Sequence, residues 1–156
     1  MLFRSTIDCI ATDHAPHTLA NKALGFPTAH SGMPGVETSL PCMLTHAANG
    51  MCSIADVARW MCEGPARVYG MVGKGRLAAG YDADLVLVDM ENRRTIQDSD
   101  TWTRVGWTPY AGREMTGWSI HTIVDGRVVH SRERGGSLRG TAVATPGSAG
   151  RALKFS

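Results

Sequence analysis

Apolar and polar positions along the 156 residues fall into zones of different period. Thr6-Ile-Asp-Cys-Ile-Ala-Thr-Asp13 is a short apolar run, polar at Asp8 and closed by Thr12-Asp13. It is too short for a helix and predicts a buried strand. From His14 to Gly35 no period survives. Pro16, Gly25, Pro27, Gly32, Pro34 and Gly35 punctuate a stretch of roughly 22 residues, beyond the ordinary loop length, and loops of that size are functional or disordered. Leu40, Met43, Leu44 and Ala47 then recur at spacings of three and four. They predict a helix from about Val36-Glu37 to Ala48, with Pro41 tolerated near its start and Asn49-Gly50 as its end. Ser53, with Asp56 three residues on, predicts the N-cap of a second helix. Ile54, Val57, Ala58 and Met61 mark its buried side. Gly64-Pro65 is its expected stop, with one more turn over Ala66 to Tyr69.

After Gly70 the chain breaks into short pieces at glycines 70, 73, 75 and 80. The β-branched run Ala83–Asp89 predicts a strand, and residues 90–115 read as a polar excursion closed by Gly106-Trp-Thr-Pro-Tyr110. Trp118–Val124 and Arg127–His130 flank Asp125-Gly126, a strong hairpin signal. The expected domains are residues 1–69, a β portion at 70–130 and a flexible basic tail at 131–156.

Composition narrows the class. Sixteen basic and fourteen acidic residues leave a formal charge of +2, and 43% of the residues are hydrophobic, an ordinary globular balance. A complete (β/α)8 barrel takes about 250 residues, so this length accommodates part of one at most. The segment 130–156 carries five Lys and Arg against one Glu but no aromatic platform except Phe155, so a solvated end is favoured over nucleic-acid binding. Cys9, Cys42, Cys52 and Cys62 form no CxxC pair and are expected to be buried free thiols. No apolar run approaches the ~20 residues of a membrane span, and Met1 to Arg4 is too short for a signal core; a cytoplasmic protein is expected. Trp60, Trp102, Trp107 and Trp118 read as packing residues rather than base-stacking ones.

Chemistry concentrates in Thr12-Asp-His-Ala-Pro-His17. A carboxylate at the carboxyl end of a strand stands where barrels and open α/β sheets place catalytic groups. Asp13 can bind a metal through one oxygen and accept a proton on the other, and His17 can meet an anion. The competing reading has Asp13 capping a turn and the histidines bonded within the loop. Ser31-Gly-Met-Pro-Gly-Val-Glu37 permits close backbone approach before a helix but has no nucleotide-phosphate spacing. Glu37 is expected to compensate the helix dipole rather than act as an acid. His46, inside the helix, reads as structural or exposed.

Ile7-Asp-Cys-Ile-Ala-Thr-Asp-His-Ala-Pro-His17, Gly32-Met-Pro-Gly-Val-Glu-Thr-Ser-Leu-Pro41, Gly80-Tyr-Asp-Ala-Asp-Leu-Val-Leu-Val-Asp89 and Gly117-Trp-Ser-Ile-His-Thr-Ile-Val-Asp-Gly-Arg-Val-Val129 occur in this order. Together they resemble the carboxyl-terminal part of a dihydroorotase, within the cyclic amidohydrolases; hydantoinases and allantoinases share the plan. The resemblance implies an α/β fold: the last strand and following helices of an incomplete metal-dependent hydrolase TIM barrel, plus the carboxyl-terminal part of a small β-sandwich. It implies that Asp13 binds metal (one or two Zn2+ in such enzymes) and shuttles a proton. It places His17, with the backbone of Pro34 and Gly35, on the substrate. His14 acquires no role from it. Gly64, where Asn or Ala is common before Pro-Ala-Arg, reads as a harmless change. The family's other metal ligands, an HxH pair, a carboxylated lysine and two further histidines, would precede residue 1. Three readings follow: a dihydroorotase-like fragment, inactive alone; a hydantoinase- or allantoinase-type enzyme; or a non-catalytic remnant with a protein partner. The expected partners are a small cyclic amide and a missing barrel half or a second copy, without nucleic acid or membrane.

Overall fold

The computed structural model describes residues 7–133, 140–143 and 153–154. A short α1 (Leu19–Lys22) and a longer α2 (Ser39–Ala48) are followed by α3 (Ile54–Ala58), a π-helical turn (Arg59–Glu63) and α4 (Gly64–Val68), which run on as one helical stretch. Strands β1 (Leu85–Thr95), β2 (Glu114–Val124), β3 (Arg127–Ser131) and β4 (Thr141–Ala142) form an antiparallel sheet in that order. The described residues are thus a partial α/β unit, an irregular segment and helices leading into an antiparallel sheet. No described helix is long and apolar enough to cross a membrane.

Local signals are realised where they are self-contained. Ser53 and Asp56 form the capping box, each bonding the other's backbone N–H. Gly50, at φ 73°, closes α2 with its N–H on Ala47 O. Asp125 (φ 50°) and Gly126 (φ 75°) both take left-handed backbone, the requirement of a type I′ hairpin turn.

Other expectations are corrected. The strand expected at Thr6–Asp13 has no ladder over Ile7–Asp13; among the described residues its backbone N–H bond is Ile10 to Trp60 O, at 2.9 Å. A strand exists only with neighbours to exchange bonds, and here a helix lies alongside instead. The helix expected from Val36-Glu37 starts at Ser39, because Gly35 O is first used by a turn, accepting Thr38 N–H and Ser39 N–H. The excursion expected at 90–115 is shorter, since β1 runs to Thr95 and β2 begins at Glu114 across a bulge between Asp89 and Arg93. The thiols are not deeply buried: Cys9, Cys42 and Cys52 are half-buried and Cys62 is exposed. Trp60 and Trp118 are buried as expected, whereas Trp102 is exposed. Within the tail, Thr141–Ala142 pair with His130 and Ser131; residues 134–139, 144–152 and 155–156 lie outside the described residues.

Gly64-Pro65 does not stop the helix but widens it. Pro65 has no N–H to return to the preceding turn. Gly64 N–H reaches five residues back to Arg59 O, and the Trp60 carbonyl accepts Ile10 N–H from the Ile7–Asp13 segment. Gly64 itself is not a neutral position. A Cβ there would lie 2.0 Å from Asp8 O.

The core lies between α2 and the sheet. Gly117, at φ 90°, faces Leu44 so closely that a Cβ would stand 2.6 Å from the Leu44 Cβ. Thr45 Oγ1 accepts Thr116 N–H at 2.9 Å, fixing helix to strand. Met115 to Trp118 are consecutively buried, so the alternation of a one-faced strand is lost where α2 covers it. Ile96, Met115 and Trp118 pack together, with Cys42 and Tyr110 against them.

Candidate functional site

Asp13 sits where the Ile7–Asp13 segment ends, with φ 43°, and is exposed. Left-handed backbone costs aspartate less than most residues. It turns the chain so that the next residues run beside the Ser31–Val36 loop. His14 makes an isolated parallel bridge with Met33, and Ala15 N–H donates to Met33 O at 3.2 Å. Two glycines allow this approach. A Cβ on Gly32 (φ 102°) would lie 2.7 Å from Ala15 Cβ, and one on Gly35 would lie 3.1 Å from Thr12 O. The two sequence clusters are therefore one ribbon.

His14 Nδ1 accepts two backbone N–H bonds, from Gly35 at 3.1 Å and Val36 at 3.2 Å. His17 is half-buried, its ring 4.9 Å from that of His30, and its carbonyl accepts Trp107 Nε1–H at 2.8 Å. Lys22 Nζ donates to His30 O (2.7 Å) and Gly32 O (2.9 Å), tying α1 to the same loop. Pro34 and Gly35 are buried. Both polar groups of Gly35 are engaged internally, its N–H on His14 and its carbonyl with Thr38 and Ser39.

Glu37 does not take the first-turn place its position suggested. It lies outside α2, and its carboxylate accepts Trp102 N–H at 2.7 Å and Thr103 N–H at 3.0 Å. It pins the 101–103 loop to the site. Sequence reasoning missed this clamp and the parts played by His14, Lys22 and Trp107, whose partners lie at separations no local pattern reports. A histidine directly after the strand-end carboxylate was the one available signal.

A cleft of about 480 Å3 opens between Ile10–Thr12 and α2, reaching Cys42, His46, Tyr110 and Arg113. Burial pushes the Cys42 thiol above its ordinary range, outweighing the bond to Tyr110 and the nearby Arg113 charge. Tyr110 is likewise raised, first by burial and then by Cys42. Neither group is ionised near neutrality, so the pair offers no thiolate nucleophile. Among the described residues no three His, Cys, Asp or Glu side chains gather closely enough to hold a metal ion. Zinc takes three or four protein donors, and Asp13 brings one carboxylate; these residues do not make a zinc site by themselves.

The amidohydrolase family pattern ("Amidohydrolase family") matches residues 1–129, spanning the ribbon, the helices, β1 and β2 and ending within β3. The chain belongs to the amidohydrolase family. Among its amidohydrolase relatives, a dihydroorotase of Halobacterium salinarum is 49% identical over 136 residues, covering 79% of this chain and 32% of that protein. A dihydroorotase of Methanothermobacter thermautotrophicus is 37% identical over 127 residues, covering 81% and 30%. Of solved structures, the L-hydantoinase (dihydropyrimidinase) from Arthrobacter aurescens superposes with a TM-score of 0.78 at 33% identity, over 88% of this chain and 30% of that one. The chain spans about a third of the length of the curated relatives it matches.

Proposed function

We propose that this amidohydrolase chain serves hydrolysis of a cyclic amide of the dihydroorotate type, with Asp13 as its proton-carrying carboxylate. The observation that carries the reading is the 49% identity to the Halobacterium salinarum dihydroorotase, over 79% of this chain. The 33% identity to the L-hydantoinase supports hydantoins as the second substrate class. In the proposed reaction a water oxygen bonds to the ring amide carbon and the C–N bond breaks. Asp13 takes the proton from the attacking oxygen and returns it to the departing nitrogen. Its exposure supports access to solvent and ligand. His17 binds the substrate carboxylate, and Pro34 and Gly35 form the wall beside it. Of that pair, the Pro34 carbonyl is the polar group not already engaged among the described residues.

Zinc belongs to the proposal only with donors beyond those described, since Asp13 alone leaves most of a coordination sphere unfilled. The division at residues 69 and 130, metal binding by Asp13, a cytoplasmic location and the silence of the chain by itself are parts of the same reading.

The test grafts this chain in place of the matched 136 residues of the Halobacterium salinarum dihydroorotase. The graft is expected to open dihydroorotate faster than hydantoin, and Asp13→Asn to lower kcat by about 10³-fold. The chain alone is expected to turn over neither. A graft that prefers hydantoin moves the reading to the second class, and an Asp13→Asn graft of unchanged rate removes it.

A further inference from the structure

The geometry points to His14 as the positioning residue of this site. Its imidazole holds the Gly35 and Val36 amides and thereby sets the distance between the Pro34-Gly35 wall and Asp13. The inference rests on the cyclic-amide reading and deepens it.

Two observations carry it. The first is the shared acceptor: Gly35 N–H and Val36 N–H both donate to His14 Nδ1, at 3.1 and 3.2 Å. A ring nitrogen that accepts cannot carry a proton, so the imidazole proton is on Nε2 and the tautomer is set by the loop. The second is that the turn has an independent anchor on its other side. Gly35 O accepts Thr38 N–H and Ser39 N–H, so the turn into α2 is built without His14. The His14 bonds therefore join an already formed turn to the Asp13 segment. The Met33 bridge and the tight Gly35–Thr12 approach lie on the same seam. Because His14 directly follows Asp13, its two bonds hold the Pro34-Gly35 wall beside the carboxylate.

Loss of the acceptor leaves Asp13 in place but frees the wall, which weakens substrate binding more than the chemical step. In His14→Asn the Oδ1 atom occupies nearly the same place as Nδ1 and accepts the same amides. In His14→Leu it is absent.

The first test uses the full chain and nitrogen NMR. The Nδ1 resonance of His14 is expected to be that of an unprotonated, hydrogen-bonded ring nitrogen. The Gly35 and Val36 amides are expected to exchange about tenfold faster in His14→Leu and at the native rate in His14→Asn, a difference of one net hydrogen bond. A proton on Nδ1, or equal exchange in the native chain and His14→Leu, overturns the inference. The second test uses the graft described above. His14→Leu is expected to raise KM about tenfold with kcat within about threefold, and His14→Asn to restore KM. A fall in kcat at unchanged KM overturns the positioning role. Full activity in Asp13→Asn removes the hydrolase reading and the role together, while the NMR result still reports whether the two bonds exist.

Discussion

The sheet with α2 and the Ile7–Val36 segment are held together by different means. Around β2, strand ladders satisfy the backbone, and Leu44, Ile96, Met115 and Trp118 are each no more than 4% exposed. In Ile7–Val36 the short α1 buries no residue, Phe26 is fully exposed, and Leu19, Leu24, Met33 and Val36 are exposed as well. What orders that segment is a set of directed bonds: His14 to two amides, Lys22 to two carbonyls, Trp107 to His17 and Ile10 to Trp60. Apolar burial is proportional to area and tolerates small displacements, whereas a hydrogen bond fails within a few tenths of an ångström. The groups proposed for chemistry sit in the region whose geometry is exact but thinly supported, as functional segments drawn from the less stable end of a protein are.

The largest expected effect separates these regions at the core. In Gly117→Ala the new Cβ meets Leu44 at 2.6 Å, on a backbone at φ 90°. Left-handed strain and overpacking together are expected to cost about 3 kcal/mol. Urea unfolding followed by tryptophan fluorescence reads this at Trp118, and an unchanged midpoint breaks the claim that α2 and β2 form the supporting core.

Gly64→Ala is the matching change at the other region. The Asp8 carbonyl stands in the way of its Cβ at 2.0 Å, so the Ile7–Ile10 segment must leave the helix. The expected loss is about 1 kcal/mol, the net worth of the Ile10–Trp60 bond. It should register as faster amide exchange at Ile10, with the β2 amides still protected. Equal loss of protection in both places shows that the regions unfold as one.

The smallest effect concerns acid. The Ser53 backbone N–H, then the Ser53 hydroxyl, hold the Asp56 carboxylate below its ordinary range, with Arg59 adding to them. A carboxylate depressed in the folded state contributes stability that is present above the unfolded value near ~3.9, and loses it as pH falls through the lower folded value. Asp56→Asn is expected to flatten that part of the acid unfolding curve, followed by helical circular dichroism. The Ile7–Val36 bonds should be indifferent to it, and a change at the Gly35 amide would tie the regions together.

How far the sequence reached follows from the range of each signal. The capping box at Ser53 and Asp56, the α2 face at Leu44 and the Asp125-Gly126 turn need only residues a few positions apart, and each formed as read. The motif around Asp13 and His17 carried the family for the same reason, since order along the chain is what a motif records. Tertiary structure decided the rest. Whether Ile7–Asp13 is a strand depends on a neighbour to pair with, and the neighbour here is a π turn opened by Pro65. Glu37 became a loop clamp because Trp102 and Thr103 came within reach. His14 gained its two amides from residues more than twenty positions away. Propensities and turns are settled by short-range sterics, but a hydrogen-bond partner is assigned only when distant backbone has been brought beside it.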